Sequence, residues 1–305
     1  MLTANDYYRS RFGGKVYRIS LNGGMTCPNR DGTIDTRGCI FCSKGGSGDF
    51  AASASLSIPE QLTAAKQRVA VKLPKQKERF AGYLAYFQAF TNTYAPVSYL
   101  ERIFTEAISD PEVVGLSIAT RPDCLSSECI SLLEKLNHRK PVYVELGLQT
   151  IHERSAEFIR RGYPLATYDD AVTRLHAAGI PVITHIILGL PKETHEDMLA
   201  TVSHVVKGGV HGVKLQLLHI MKDTDLAEYY ASAAPSEFAC MTLDSYLTVL
   251  TRALPLIPGD TVVYRLTGDG PKRSLIAPLW SGDKKTVLNT IRQNLERSFP
   301  CNPKC

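Results

Sequence analysis

Apolar runs rich in β-branched residues alternate with stretches of helical periodicity along most of the chain. The runs predict strands at Val16–Leu21, Tyr83–Phe87, Val114–Ile118, Val142–Leu148, Val182–Leu188 and Val213–Leu218. The stretches between them predict helices at Pro59–Leu73, Val97–Ser109, Ser126–Leu136, Thr167–Ala178 and His195–Lys207. Such alternation implies right-handed crossovers and a parallel sheet, either doubly wound or curled into a barrel.

The fourth predicted strand favours a barrel. Tyr143, Glu145 and Gly147 share one face of it, while Val142 and Val144 lie on the other. A doubly wound sheet is apolar on both faces, whereas the inward residues of a barrel can be polar. The sequence therefore predicts an α/β fold in which a partial (β/α)6 barrel has a lined interior with room for a ligand.

The pattern changes after residue 225. A helix is predicted at Leu243–Leu256, a short strand at Thr261–Leu266 and a last helix at Lys284–Arg297. We expect residues 1–225 to form the barrel and residues 226–305 to form a small α+β extension packed beside it. Two cysteines near the end, Cys301 and Cys305, are interpreted as surface thiols, with a second cluster site as the weaker alternative.

Polar residues gather where the predicted strands end, which is where parallel α/β folds carry their chemistry. These positions hold Gln88, Arg121, Asp123, Gln149, Gly189–Pro191, His219 and Lys222. Glu145, His185 and Lys214 lie on the polar faces of their strands. Any one of them could be a satisfied core residue, but together they predict a single site at one mouth of the barrel.

Three cysteines follow the first predicted strand, Cys27, Cys39 and Cys42, in a glycine-rich stretch. A closed zinc or electron-transfer site needs four protein ligands. Three thiolates on a four-iron cluster would leave one iron open to bind a substrate. Zinc completed by a distant residue is the alternative, and it is disfavoured because no second Cys-x2-Cys pair follows.

Composition indicates only the broad class of protein. The chain has 305 residues, 44% of them hydrophobic, and a net charge of +5, so it is globular and mildly basic. It begins without an apolar signal core and has no long apolar run, and we therefore expect a cytoplasmic protein without membrane contact. Its 8 cysteines are expected to be reduced thiols and metal ligands. Nucleic acid is an allowed partner.

The motifs resemble those of radical S-adenosylmethionine (radical SAM) enzymes. The resemblance rests on the cysteine loop, on Phe41 before its last cysteine, and on Thr120–Asp123, Glu145–Gln149 and His185–Pro191. The branch that contains the Elongator catalytic subunit is the most similar, because eleven residues separate Cys27 from Cys39. Tyr86–Tyr94 and Ala277–Trp280 resemble a smaller bacterial group, the YhcC/YtqA type.

This resemblance implies a [4Fe-4S] cluster on Cys27, Cys39 and Cys42 that reductively cleaves S-adenosylmethionine to a 5′-deoxyadenosyl radical. By the same resemblance, the cofactor would be contacted by Gln88, Glu145, Gln149, Arg161 and Leu190. Arg121, Asp123, His185, Lys214, His219 and Lys222 are then expected to serve catalysis and substrate binding.

Relatives in the Elongator branch modify carbon 5 of the wobble uridine in transfer RNA. The resemblance thus implies a tRNA substrate, with conversion of a carboxymethylaminomethyl group to aminomethyl as one reaction, and a flavodoxin- or ferredoxin-type electron donor. DNA is not an expected partner. The alternatives are a radical SAM enzyme acting on a small carboxylate or porphyrin-like metabolite, and a non-enzymatic iron-sulfur carrier or RNA-binding protein.

Overall fold

The computed structural model describes residues 1–46, 48, 51–73, 79–235, 237–268 and 272–299. Cys301 and Cys305, for which the sequence predicts surface thiols, lie outside the described residues. Within the described part, no helix combines the length and apolarity needed to cross a bilayer.

Eight parallel strands of the described chain form the main sheet, and two short strands pair separately. The strands are β1 (Leu2–Thr3), β2 (Lys15–Leu21), β3 (Phe80–Phe87), β4 (Val113–Thr120), β5 (Val142–Gln149), β6 (Val182–Leu188), β7 (Gly212–Leu217), β8 (Ile220–Met221), β9 (Val262–Arg265) and β10 (Leu275–Ala277). The main sheet has the order β1-β9-β7-β6-β5-β4-β3-β2, and β8 pairs with β10 in antiparallel fashion.

Helices connect the strands and cover the outer face of the sheet. They are α1 (Ala4–Phe12), α2 (Ile58–Ala70), α3 (Val97–Ser109), α4 (Ser127–Asn137), α5 (Glu153–Phe158), α6 (Leu165–Ala177), α7 (His195–Lys207), α8 (Asp225–Ser232), α9 (Leu243–Ala253) and α10 (Lys284–Ser298). Capping boxes at Ser57 and Thr194 start α2 and α7, because each side chain accepts a hydrogen bond from an otherwise unpaired helix N–H.

The main hydrophobic core lies between these helices and the outward side chains of the strands. In α3, the buried Leu100, Ile103, Phe104 and Ala107 repeat at helical spacing, so one apolar stripe faces the sheet. Val144 of β5 belongs to the same core cluster. Burial of these apolar surfaces supplies most of the favourable free energy of folding.

The predicted α/β fold and its parallel, curled sheet are confirmed. All the predicted strands and helices are present, although most of their boundaries are shifted by a few residues. One difference concerns the predicted strand at Thr261–Leu266. It is β9, and it lies in the main sheet between β7 and β1, so the segment after residue 225 contributes directly to the barrel. The division of the chain at residue 225 stays a prediction.

Side-chain contacts across the inner face show how strongly the sheet curls. Arg18 of β2 and Lys214 of β7 both contact the carboxylate of Glu145 on β5. Neighbouring strands are about 4.8 Å apart, so β2 and β7 would lie roughly 24 Å apart in a flat sheet. One carboxylate can contact both strands only because the sheet closes around it as a half-barrel.

An aromatic cluster on α1 closes the amino-terminal end of this half-barrel. Tyr8 is 7% exposed and packs with Leu84, Tyr143 and Ile183 from three inner strand faces. The hydroxyls of Tyr7 and Tyr143 lie 3.0 Å apart. These side chains pack the amino-terminal end of the interior, and the cavity described below lies at the carboxyl ends of the strands.

We predict that Tyr8→Ala lowers the free energy of unfolding by about 3 kcal/mol, because it removes a buried aromatic ring and leaves a cavity. The measurement is equilibrium urea denaturation. Phe299→Ala is the control, since Phe299 is 45% exposed and should cost less than about 1 kcal/mol. Equal losses for the two variants would contradict a structural role for the α1 plug.

Candidate functional site

A cavity of about 430 Å³ opens at the carboxyl ends of the strands, a volume within the usual range of small-molecule sites. All three cysteines of the first loop line it, with residues from seven strands and from the loops that follow them. Its charged and histidine lining consists of Lys44, Arg121, Glu145, Arg161, His185, Lys214, His219, Lys222, Asp223 and Arg265.

The cysteine loop is held by its own backbone and by the segment that follows α5. The N–H of Cys42 donates to the carbonyl of Cys39 at 2.9 Å, and Cys27, Cys39 and Cys42 are all partly buried. The guanidinium of Arg30 donates to the carbonyls of Cys42 and Ser43. These bonds fix the turn that carries the Cys-x2-Cys pair.

Asn29 joins this loop to the body of the protein. Its side chain is fully buried, and Nδ2 donates to the carbonyl of Arg160 at 2.6 Å and lies 3.5 Å from Sγ of Cys39. Gly162 has a φ of +81°, and a Cβ there would lie 2.7 Å from Oδ1 of Asn29. Glycine is thus required for the close approach of the two segments.

Two guanidinium groups border the cavity beside this loop. Arg121 makes a bidentate pair with Asp123, at 2.9 and 2.6 Å, and also donates to the carbonyl of Arg161. Both guanidinium carbons lie over the Tyr163 ring, 5.0 Å from its centroid for Arg121 and 4.9 Å for Arg161. Stacking and bidentate pairing hold Arg121 in one orientation at the cavity wall.

Arg161 is almost completely buried, with 1% exposure. Its guanidinium donates to the carbonyls of Thr150 and Tyr163 at 2.6 and 2.9 Å and to both carboxylate oxygens of Glu153 at 3.2 Å. These contacts connect the segments after β5 and α5. The predicted contact of Arg161 with a cofactor carboxylate stays a prediction, and the chain itself already occupies most of its donors.

Glu145 lies fully buried at the floor of the cavity, with 0% exposure. One oxygen, Oε1, accepts from Ser117 at 2.6 Å and faces Arg18 at 3.4 Å. The other, Oε2, lies 3.1 Å from the Tyr86 hydroxyl and 2.8 Å from Nε2 of His185, and contacts Nζ of Lys214. Five strands thus supply partners to one carboxylate.

The charges around Glu145 set its protonation state. Burial alone would raise the pKa of this carboxyl group, but Lys214, Arg18 and His185 outweigh it and hold the pKa well below its usual value. Burial and the nearby Lys214 lower the pKa of His185 to about 4. At neutral pH Glu145 is therefore ionised and His185 is neutral.

The structure brings most of the predicted site residues to one cavity. Those that line it are Cys27, Cys39, Cys42, Gln88, Arg121, Glu145, Gln149, Arg161, His185, Lys214, His219 and Lys222. Leu190 is not among the lining residues and packs in a separate apolar cluster with Ile187 and Leu218. Asp123 faces Arg121 and not the cavity. The roles assigned to all of these residues stay predictions.

Several residues of the site were missed by the sequence analysis. Arg18, Tyr86 and Arg265 were not singled out, although Arg18 and Tyr86 each carry a signal. Arg18 alternates with Ser20 on β2, and Tyr86 precedes Gln88 by two positions on β3, so both lie on inner faces. Asn29 gave no signal, because its role depends on contacts with residues more than a hundred positions away.

The parallel half-barrel with a three-cysteine loop at its mouth defines a class of cofactor-dependent enzyme. Residues 35–205 match the Radical SAM superfamily, and residues 210–297 match the Radical_SAM C-terminal domain. The chain therefore belongs to the radical SAM superfamily, whose members use a [4Fe-4S] cluster and S-adenosylmethionine. This confirms the resemblance on which the cofactor prediction depends.

Individual relatives agree with this family. The chain is 42% identical over 294 residues to YtqA of Bacillus subtilis, covering 96% of this chain and 89% of YtqA. It is 36% identical over 181 residues to the tRNA uridine(34) acetyltransferase of Methanocaldococcus jannaschii, covering 58% of this chain and 32% of that protein. The solved structure of Methanocaldococcus infernus Elp3 with an N-terminal deletion has a TM-score of 0.65 at 18% identity, covering 92% of this chain and 63% of that one.

The cysteine loop fits a cluster better than a single ion. Among the described residues, no group of three His, Cys, Asp or Glu side chains converges closely enough for one metal ion. A four-iron cluster binds each thiolate through a different iron, so its cysteines need only surround a common space, as these three do at the cavity wall. Burial and the neighbouring Cys42 raise the pKa of Cys39 to about 12, so this thiol ionises when iron binds it.

We predict that acid destabilises the protein partly through His185. Its folded pKa of about 4 lies below the unfolded value, so its contribution is complete above about pH 6.5 and is lost as the pH falls toward 4. The loss should reach about 3 kcal/mol at the most. His185→Gln keeps a donor for Glu145 but takes up no proton there.

Urea denaturation of both proteins in the same cluster state, at pH 7, 6, 5 and 4, measures this effect. The stability difference between wild type and His185→Gln should change in favour of the variant as the pH falls. A difference that is constant over this range would show that folding leaves the pKa of His185 unshifted, and a change in favour of the wild type would show that His185 is protonated in the folded protein.

We predict that Arg161→Lys lowers the free energy of unfolding by about 3 kcal/mol, because an ammonium group cannot replace the buried donors of the guanidinium. The matched control is Arg252→Lys, since Arg252 pairs with Glu196 at an exposed site. Urea denaturation and S-adenosylmethionine binding are measured together. Full stability with weakened cofactor binding would instead support the predicted carboxylate contact.

Proposed function

We propose that this radical SAM enzyme modifies the carbon-5 side chain of the wobble uridine in tRNA. The observation that carries the proposal is the cationic lining of a cavity that opens beside the cysteine loop. Lys44, Arg121, Arg161, Lys214, Lys222 and Arg265 line it, against two carboxylates among the described lining residues, Glu145 and Asp223. Such a surface attracts a polyanion by its field.

The distribution of these charges suits a nucleotide that enters base first. Lys44 and Lys222 are exposed at the cavity rim, where phosphates of an RNA loop could reach them. A base that is unpaired in the anticodon loop can turn into a pocket at modest cost. The similarity to a tRNA uridine(34) acetyltransferase supports the choice of this base and does so by analogy.

The protein's own residues would hold the cofactors at the mouth of the half-barrel. Cys27, Cys39 and Cys42 would bind the cluster, and Gln88 and Gln149 lie on the cavity wall where they could contact S-adenosylmethionine. When bound and reduced, this pair supplies a 5′-deoxyadenosyl radical. The chain contributes by excluding water, orienting the substrate and tuning the cluster.

The reaction that we propose removes the carboxymethyl group of a carboxymethylaminomethyl side chain and leaves aminomethyl. Water supplies the oxygen of the departing glyoxylate. Oxidation of the side chain would release two electrons and two protons. S-adenosylmethionine would take up both electrons and one proton in its conversion to methionine and 5′-deoxyadenosine, so an electron that a donor lends to the cluster would be returned once the substrate is oxidised. A flavodoxin- or ferredoxin-type donor would supply the first electron to the cluster, in the reducing environment of the cytoplasm.

The test is anaerobic reconstitution with iron and sulfide, followed by reduction in the presence of S-adenosylmethionine and tRNA. We expect 5′-deoxyadenosine formation to rise with tRNA and one wobble nucleoside to be converted, as measured by chromatography and mass spectrometry. Cys42→Ala should abolish both signals, whereas Cys129→Ala should retain them, since Cys129 is buried on α4 in the outer core.

The other outcomes distinguish the remaining functions. Cofactor cleavage that responds to a small carboxylate or porphyrin-like metabolite and not to tRNA would contradict the tRNA proposal and retain the radical chemistry. An intact cluster without any cleavage would favour an iron-sulfur carrier or RNA-binding protein.

A further inference from the structure

Three cationic side chains lie near a single carboxylate, Glu145, at the bottom of the cavity. We call them the cationic floor: Arg18 and Lys214 contact Glu145, and Arg265 lies next to Lys214 in the sheet. Lys214 is 2% exposed and Glu145 is fully buried. Arg18 and Lys214 both pair with Glu145, so its charge is shared between two cations.

Arg265 has no carboxylate of its own among the described residues. Its Nη1 donates to the amide oxygen of Gln216 at 3.3 Å, and no ion pair joins it to a described acidic side chain. It is half-buried and lines the cavity next to Lys214, its partner in the β7–β9 ladder. A guanidinium in this setting has donors to spare for a planar anion.

The floor therefore carries an excess of positive charge. Glu145 balances one cation, and His185 beside it is neutral at pH 7. Even if Lys214 loses its proton, as its lowered pKa allows, Arg18 and Arg265 still exceed the one carboxylate. Because Arg18 and Arg265 are half-buried, this excess of positive charge is less well solvated than at the surface and favours an opposite charge that enters the site.

The depth of the floor determines which anionic group of a substrate can reach it. Glu145 lies four positions before Gln149, the last residue of β5, which places the floor roughly 13 Å below the end of the strand. Backbone phosphates of an RNA that inserts only a base stay at the rim. A carboxylate at the tip of a base side chain can extend further inward than the base itself.

We propose that the cationic floor binds a terminal carboxylate of the substrate, with Arg265 as the residue that recognises it. The inference rests on the proposed function and deepens it: among wobble-uridine side chains, the enzyme would take those that end in a carboxylate, such as carboxymethylaminomethyl. Release of that group removes the anion that binds to the floor, so the aminomethyl product would bind more weakly than the substrate.

The experiment compares two anticodon stem-loop RNAs that differ only in the last group of the uridine side chain, a carboxylate or the isosteric carboxamide. Their dissociation constants are measured anaerobically by fluorescence anisotropy on cluster-loaded protein with S-adenosylmethionine and without reductant. We expect the wild type to bind the carboxylate RNA about tenfold more tightly than the carboxamide RNA.

Arg265→Gln should bring this ratio close to one, because it weakens binding of the carboxylate RNA far more than binding of the carboxamide RNA. Arg265→Lys should retain part of the preference, because it keeps the charge without the planar fork. Arg252→Gln, which removes an exposed arginine on α9, should behave as the wild type. We expect the variants at the half-exposed Arg265 to stay folded, and circular dichroism checks this.

Three results would overturn the inference. One is equal wild-type affinity for the two RNAs. Another is an Arg265→Gln variant that weakens binding of both RNAs equally. The third is a loss of S-adenosylmethionine affinity in that variant, seen by calorimetry, with the RNA preference intact, which would assign the floor to the cofactor carboxylate.

Turnover separates failure of this inference from failure of the proposed function. If the wobble nucleoside is converted but the carboxylate and carboxamide RNAs bind equally well, the proposed role of the cationic floor is wrong and the proposed tRNA activity is retained. Both proposals would be overturned if the nucleoside is not converted and the RNAs bind no more tightly than an unrelated stem-loop.

Discussion

The carboxylate of Glu145 is the interaction on which the interior of this half-barrel depends. Arg18, Tyr86, Ser117, His185 and Lys214 contact it from five strands. A charge buried so deeply is tolerated only when its oxygens are paired. The same pairing fixes the curvature of the sheet, because β2 and β7 must both approach β5. The floor of the cavity is thus rigid before any ligand binds, which lowers the entropic cost of binding.

A second constraint acts at the mouth. Asn29 connects the cysteine loop to the carbonyl of Arg160 and lies close to the sulfur of Cys39, while Arg161 fastens the same segment to the end of β5. The loop is long and has little regular secondary structure, so its position depends on these few buried polar contacts. N–H groups near a cluster sulfur also influence the reduction potential, so Asn29 links the fold to the chemistry of the cluster.

Much of this could be predicted from the sequence, because strand alternation and strand ends are local signals. The polar face of β5 indicated a lined barrel interior, and the polar residues at the strand ends indicated where the cavity opens. Arg18 was missed because charge counting ignores the two-residue period of a strand, which places this side chain on the inner face of β2. The hydrogen bonds that occupy most donors of Arg161 and the packing of Leu190 with Ile187 and Leu218 depend on tertiary structure. They could not be predicted from neighbouring residues.

The arrangement of charge also explains why one cavity can serve two anions. The exposed Lys44 and Lys222 lie in a high dielectric and attract phosphates weakly and over a distance. Arg265 lies deeper, beside Gln216 and a carboxylate that is already shared by other cations, where a single ion pair is worth more. Under the proposed function, the rim would favour encounter with RNA in general, and the floor would favour one side chain. Specificity follows from depth, because only the substrate that projects an anion beyond its base gains both contributions.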